Sequence, residues 1–229
     1  GVPRSLEGLT RPFRYNDVDS LKDIVSACGE DLAAIVMEPA RDSDPDIGFL
    51  EGVRDIANQT GAVLIFDEIT AGFRINTGGI HLTLGVNPDI AVYAKALGNG
   101  YPISAIIGRS AIMQAAQNSF ISSTAWTERI GPTAALAVLA AYEKKAVPAQ
   151  LIKTGQSVKQ VWHDAASHTG LDVTVSGLDP LAHLNFMGDD AQTQRTLFTQ
   201  EMLDRGFLAG PAFYAMAAHT QEDIADYAD

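Results

Sequence analysis

Four apolar runs, none of which alternates with polar residues, constrain the fold of this chain more than any other feature. The runs are residues 33–37, 62–66, 89–93 and 103–107. A strand with one solvated face alternates apolar and polar residues, whereas a strand buried on both faces is continuously apolar. Because helical patterns occur between the runs, the sequence favours the α/β class, with a mostly parallel sheet covered by helices on both faces.

Capping and stop residues predict where the helices of this first region begin or end. Asp19 or Ser20 is expected to cap a short helix that continues to about Ala27. Residues 49–59 place apolar side chains on one helical face, and Gly61 is expected to end that helix.

The pattern changes after Gly131 and Pro132. Residues 133–145, 148–167 and 192–205 have helical patterns, residues 171–176 and 181–186 alternate as half-exposed strands do, and Thr220 begins a capping box. We predict two domains. Residues 1–149 form the C-terminal part of a large domain with its connecting helix, and residues 150–229 form a smaller α+β domain that is truncated.

Composition excludes several kinds of partner. Hydrophobic residues make up 46% of the 229 residues and the net charge is −12, which allows a large core and disfavours binding to phosphate backbones or anionic membranes. No apolar run is long enough to span a membrane. Cys28 is the only cysteine, so no intrachain disulfide forms, and a reducing cytoplasmic location is expected.

Polar side chains follow three of the apolar runs. Glu38 and Asp67 come directly after the first and second runs, and Lys95 follows the third. The carboxyl ends of parallel strands meet at one edge of a sheet, where ligands of α/β proteins bind. We therefore expect these three groups to share a site.

An amine and a carboxylate at one sheet edge suit pyridoxal phosphate. The amine of Lys95 can hold the cofactor aldehyde as a Schiff base, and Asp67 can keep the pyridine nitrogen protonated. The apolar neighbours of Lys95 predict a desolvated amine with a lowered pKa. Two simpler interpretations stay open: Asp67 caps the following turn, or Lys95 extends from its strand end into solvent.

Other enzyme classes lack their signatures. No Gly-x-x-x-x-Gly-Lys-Ser/Thr string of a P-loop ATPase and no Gly-x-Ser-x-Gly string of a serine hydrolase occurs. The histidines are scattered and are expected to be surface or locally bonded residues, so no metal site is predicted. They are His81, His163, His168, His183 and His219.

Several spaced motifs resemble those of the class III aminotransferases, which are pyridoxal phosphate enzymes of fold type I, and in particular the glutamate-1-semialdehyde aminomutase branch. Residues 67–74, Asp-Glu-Ile-Thr-Ala-Gly-Phe-Arg, resemble the family block Asp-Glu-Val-x-x-Gly-Phe-Arg. Residues 85–89, Gly-Val-Asn-Pro-Asp, and 95–102, Lys-Ala-Leu-Gly-Asn-Gly-Tyr-Pro, resemble the next two blocks of the family. The spacing from Asp67 to Pro102 matches that of the family without a gap.

The resemblance implies roles for four residues. Lys95 is the Schiff-base lysine and moves the proton between the substrate and the cofactor, and Asp67 pairs with the pyridine nitrogen. Ile69 packs against the ring. Thr127 binds the cofactor phosphate of a neighbouring subunit, which implies a homodimer with shared active sites. The chain departs from the family pattern here, so Ser122, Ser123 and Thr124 stay alternatives.

The implied reaction moves an amino group from a small-molecule amino donor to an oxo or aldehyde acceptor. An intramolecular 2,1-aminomutase reaction stays open, because it uses the same groups. Family members are longer than this chain, and the match begins partway into their large domain. A third possibility is therefore an inactive half of an aminotransferase that serves as a structural or partner-binding piece.

Overall fold

The computed structural model describes residues 3–122, 124 and 127–229. The described residues form two sheets and eight α-helices. The strands are β1 Ala34–Met37, β2 Val63–Asp67, β3 Ile90–Tyr93, β4 Ala105–Gly108, β5 Val173–Ser176, β6 Leu181–Phe186 and β7 Ala212–Tyr214. The helices are α1 Val18–Cys28, α2 Phe49–Thr60, α3 His81–Leu84, α4 Ser110–Met113, α5 Ile130–Lys145, α6 Val147–Thr169, α7 Ala191–Asp204 and α8 Gln221–Ala228.

The first sheet has the strand order β1-β2-β3-β4. The first three strands are parallel, which confirms the predicted mostly parallel α/β sheet, and β4 pairs with β3 in the antiparallel direction. A parallel return needs a crossover of a dozen or more residues, usually through a helix. The link from β3 to β4 contains only a 3-10 turn, Lys95–Leu97, and a loop, so the chain reverses direction.

One face of this sheet is packed and the opposite face is open. Leu64 and Phe66 of β2 are fully buried, and they pack with apolar residues of α1 and α2, including Leu21, Phe49 and Val53. On the other face, Val36 of β1 and Ile106 of β4 are each 59% exposed. Within the described residues, the expected cover of both faces is therefore complete on one face only.

The end of α2 is predicted correctly from the sequence, and the cap of α1 is not. Gly61 has a φ of +73° and ends α2, as predicted. The predicted cap of α1 is wrong, because Oδ1 of Asp17, and not Asp19 or Ser20, accepts a hydrogen bond from the amide of Ser20 at 2.9 Å. Asp17 lies just before the first helical residue, where its carboxylate can reach the free amides of the first turn.

The second sheet, β5-β6-β7, is antiparallel throughout. Its core contains Val158 and Trp162 of α6, Leu184 of β6 and Ile224 of α8. The capping box predicted at Thr220 is present at the start of α8. The predicted domain boundary at residues 149 and 150 falls in the first turn of α6 and stays a prediction.

The two sheets are joined through loops at the carboxyl edge of the first sheet. The amides of Gly177 and Leu178 donate hydrogen bonds to the carbonyls of Asp42 and Arg41, at 3.0 and 3.1 Å. A small buried cluster that includes Ala40, Ala71 and Leu181 fills the space beside these bonds. The second sheet therefore lies against the edge where the sequence places its polar groups.

Candidate active site

The carboxyl ends of β1, β2 and β3 lie side by side, because these strands are parallel neighbours. Glu38 follows β1, Asp67 ends β2, and Lys95 comes two residues after β3. The structure thus brings together the three polar groups that the sequence places at strand ends. Their common edge is the candidate active site.

Asp67 is half-buried and pairs with Val92 across the β2–β3 ladder. Its Oδ1 accepts a hydrogen bond from the amide of Ile69 at 2.9 Å, so one oxygen does cap the following turn. Among the described residues, the other oxygen has no hydrogen-bond partner. Asp67 can therefore hold its turn and still accept a hydrogen bond from a ligand.

Lys95 has a backbone φ of +45°, in the left-handed region that few residues other than glycine adopt. Its Nζ donates a hydrogen bond to Oγ1 of Thr70 at 2.8 Å. This bond joins the loop after β2 to the turn after β3, so it links the Asp67 segment to the lysine.

The predicted desolvation of Lys95 is wrong for the described residues, since its side chain is exposed. Its apolar neighbours Tyr93 and Leu97 are buried with Phe73 in the core below the edge. An apolar sequence context therefore does not by itself surround the amine.

Thr70 is a site residue that the sequence analysis did not identify. It is only 5% exposed, and its carbonyl accepts a hydrogen bond from Nε of Arg74 at 2.8 Å. Ile69 beside it is half-buried at the same edge, and its predicted packing against a cofactor ring stays a prediction. The sequence signal that could have identified Thr70 is a hydroxyl residue at a position that the family block leaves open as x.

Glu68 fixes the loop that carries these residues. Its side chain is fully buried, and its oxygens accept hydrogen bonds from the amides of Ile80 and His81, both at 3.0 Å. Nδ1 of His81 lies 2.7 Å from Oε1 of Glu68. His81 is therefore a locally bonded histidine, as one of the two predicted alternatives had it, and it is buried rather than at the surface.

Glu38 and Arg41 form a partly buried pair beside the edge. Nη1 of Arg41 donates to Oε1 of Glu38 at 3.0 Å, and the ion pair raises the pKa of the Arg41 guanidinium. Oε2 of Glu38 is a buried atom with no hydrogen-bond partner in the described part of the chain. A buried acceptor without a partner is costly unless a ligand or water satisfies it.

Thr127 is exposed in a turn shortly before Ile130, the first residue of α5. Oε1 of Glu128 accepts a hydrogen bond from the amide of Gly131 at 2.9 Å, so a carboxylate already binds one amide at this helix start. Of the alternatives, Ser122 and Thr124 are exposed, and Ser123 lies outside the described residues. The phosphate-binding role of Thr127 stays a prediction.

Two features are absent from the part of the chain that the structure describes. No three His, Cys, Asp or Glu side chains come together in a group that could hold a metal ion. No described helix has both the length and the apolar character needed to cross a membrane.

Comparison with known proteins identifies the family of this chain. The family model for "Aminotransferase class-III" matches residues 12–217. The chain is 32% identical over 237 residues to 3-aminobutyryl-CoA aminotransferase of Cloacimonas acidaminovorans, covering 98% of the chain and 57% of that relative. It is 31% identical over 245 residues to glutamate-1-semialdehyde 2,1-aminomutase of Desulforamulus reducens, with the same coverage.

Solved structures show the same fold. The FumI protein of Sphingopyxis sp. MTA144, described as a PLP internal aldimine form, superposes with a TM-score of 0.93 at 26% identity, over 100% of this chain and 57% of that chain. An omega-transaminase from Sphaerobacter thermophilus superposes with a TM-score of 0.89 at 20% identity and the same coverage. This chain thus spans 57% of the length of these relatives, and it belongs to the class III aminotransferase family.

Proposed function

We propose that this chain carries the lysine and the carboxylate of a pyridoxal-phosphate-dependent aminotransferase, which moves an amino group from a small-molecule amino donor to an oxo or aldehyde acceptor. The observation that carries the proposal is the placement of Asp67 and Lys95 on adjacent strand ends, linked through Thr70. The named relatives, an aminotransferase and an aminomutase, support the proposed class of reaction.

The residues present fit the cofactor. Lys95 offers an exposed amine at the edge, and Asp67 offers a carboxylate oxygen that no described residue occupies. Oε2 of Glu38 adds a buried acceptor at the same edge. When bound, pyridoxal phosphate supplies an aldehyde for the amine and a ring that withdraws electrons from the reacting carbon.

Each residue then has a distinct task. Nζ of Lys95 would hold the cofactor at its aldehyde, and the same amine, when free, would carry a proton to and from the reacting carbon. The free oxygen of Asp67 accepts a hydrogen bond from the pyridine N–H and keeps that nitrogen protonated. Ile69 packs on the ring face and helps to exclude water, and Thr127 binds the phosphate across a homodimer interface in the cytoplasm.

The test is a half-reaction with a panel of amino donors. The chain is mixed with pyridoxal phosphate and each donor, and pyridoxamine phosphate is measured by mass spectrometry. We expect its formation with at least one donor, its loss in Lys95→Ala, and a decrease of about 100-fold or more in Asp67→Asn, because the neutral amide no longer keeps the pyridine nitrogen protonated. Equal formation in the wild type and in Lys95→Ala would contradict the proposal.

A second candidate is a structural or partner-binding half of an aminotransferase. The chain spans 57% of its relatives' length, and Val36 and Ile106 expose one face of the first sheet. No pyridoxamine phosphate with any donor, from a chain that is folded by circular dichroism, would support this candidate. If an isotope-labelled acceptor is added and the amino group appears on the donor's own carbon skeleton and not on the labelled acceptor, the result would instead support an aminomutase.

A further inference from the structure

The hydrogen bond from Nζ of Lys95 to Oγ1 of Thr70 assigns a task to Thr70 that the proposed function does not include. The two atoms are 2.8 Å apart. The hydroxyl belongs to a side chain that is 5% exposed, whereas the lysine is exposed. A fixed acceptor thus holds the end of a long side chain that would otherwise move freely in solvent.

Thr70 is fixed on both sides. The amide of Gly72 donates to the carbonyl of Glu68 at 2.8 Å, which closes the turn around Thr70. Arg74 donates to the carbonyl of Thr70 itself. Since the carboxylate of Glu68 is bound to the backbone near His81, the turn cannot shift without breaking several buried hydrogen bonds.

The backbone of Lys95 is fixed as well. Its carbonyl accepts hydrogen bonds from the amides of Gly98 and Asn99, at 3.2 and 2.9 Å. Its φ of +45° sets the direction in which the side chain leaves the turn. The four methylene groups of the side chain then keep the rotamer freedom that a bond at Nζ can restrict.

We infer that Thr70 is a positioning residue for Lys95: its hydroxyl oxygen holds Nζ at the carboxyl edge of β2 and β3 before the amine captures an aldehyde. The inference deepens the proposed function and rests on it for the identity of that aldehyde. The bond uses an N–H of Lys95 and leaves the nitrogen lone pair for an aldehyde that binds at this edge, whereas a reagent from bulk solvent meets a held amine less often than a free one. Capture joins Nζ to the aldehyde carbon with loss of one water, and borohydride then adds hydride to that carbon.

The first experiment needs no cofactor. The chain is trace-labelled with acetic anhydride, and acetylation of Lys95 is compared with that of the exposed Lys22 in the same sample. We expect Thr70→Val to raise the Lys95 to Lys22 ratio about threefold, because an amine released from its acceptor meets the reagent more often. Thr70→Ser, which keeps the hydroxyl, is expected to stay within about twofold of the wild type.

The second experiment measures capture of pyridoxal phosphate. The initial rate of borohydride-trapped labelling at Lys95 is expected to fall about tenfold in Thr70→Val, which corresponds to ~1.4 kcal/mol, and to recover in Thr70→Ser. Thr154→Val is the matched control, since Thr154 is a similarly buried threonine, 3% exposed, in α6. It should change neither measurement.

In Thr70→Val the acetylation of Lys95 is expected to rise and the rate of pyridoxal phosphate labelling to fall. These opposite changes distinguish positioning from a general loosening of the fold. Local unfolding would raise acetylation at several lysines and would not be reversed by serine. An unchanged Lys95 to Lys22 ratio in Thr70→Val would overturn the inference, whatever the chain does with pyridoxal phosphate. A raised ratio without any adduct at Lys95 in the wild type would contradict the proposed function and would still support the tether between Thr70 and Lys95.

Discussion

The guanidinium carbon of Arg74 lies 5.4 Å from the centroid of the Tyr214 ring. Arg74 belongs to the loop after β2 and donates to the carbonyl of Thr70, whereas Tyr214 ends β7 in the second sheet. Burial lowers the pKa of Arg74, and the nearby tyrosines Tyr142 and Tyr214 partly offset this effect. One side chain thus connects the candidate active site to the C-terminal sheet.

We expect Arg74 and Tyr214 to be energetically coupled. Arg74→Met and Tyr214→Leu should each destabilise the chain, and a double-mutant cycle in urea should give a coupling of about 0.5–1 kcal/mol, as for a partly exposed cation–π pair. Arg205→Met with Tyr214→Leu is the control pair, because Arg205 bonds to Glu201 instead. Additive effects in the Arg74 cycle would show that the contact stabilises nothing.

Asp89 should make stability depend on acid pH. Burial alone raises its pKa, but hydrogen bonds from the Leu64 amide, Arg109 and Arg54 outweigh burial and hold the pKa below its ordinary value of 3.8. A carboxyl group with a lowered folded pKa stabilises the fold fully above its unfolded pKa, and this contribution is lost as the pH falls through the folded value.

The measurement compares the free energy of unfolding in urea of Asp89→Asn with that of the wild type, at pH 7 and near pH 3. At pH 7 the substitution should lower the free energy of unfolding by about 3 kcal/mol, because it leaves the mostly buried Arg54 without its charged partner. The difference between the two unfolding free energies should shrink near pH 3, because that pH lies below the ordinary value of 3.8 and closer to the lowered folded pKa. Asp55→Asn, at an exposed position of α2, is the control. Equal differences at both pH values would contradict the assignment.

Gly98 should tolerate no side chain. A Cβ at this position would lie 2.2 Å from the carbonyl oxygen of Tyr101 and 2.7 Å from Cγ2 of Ile103. Gly98→Ala should therefore cost about 1–3 kcal/mol of unfolding free energy and slow labelling of Lys95, because the turn must open. Gly210→Ala is the control, since a Cβ there would meet no described atom within 4 Å. Similar unfolding free energies for the two variants would show that the turn adjusts freely.

Local sequence patterns predicted the ends of strands and helices that depend on neighbouring residues alone. Phe66 and Asp67 mark a strand end because an apolar run stops at a charged residue, and Gly61 ends α2 because its left-handed backbone costs little without a Cβ. Chain order alone then placed Glu38, Asp67 and Lys95 at one edge, since parallel strands share an edge.

The remaining features depend on contacts between distant segments. The partner of Lys95 is a hydroxyl 25 residues away, and no periodicity predicts which side chain the amine reaches. His81 is buried because Glu68 binds it from 13 residues away. The direction of β4 follows from the short link after β3, and a run of apolar residues does not record that direction.

The most direct test of the central claim is borohydride reduction of the chain with pyridoxal phosphate, followed by peptide mapping. The proposed function predicts a phosphopyridoxyl group on Lys95, absent in Lys95→Ala and not transferred to Lys22, Lys144, Lys145, Lys153 or Lys159. A label spread over these other lysines, or no label on Lys95, would contradict the assignment of Lys95 as the cofactor-binding lysine of this chain.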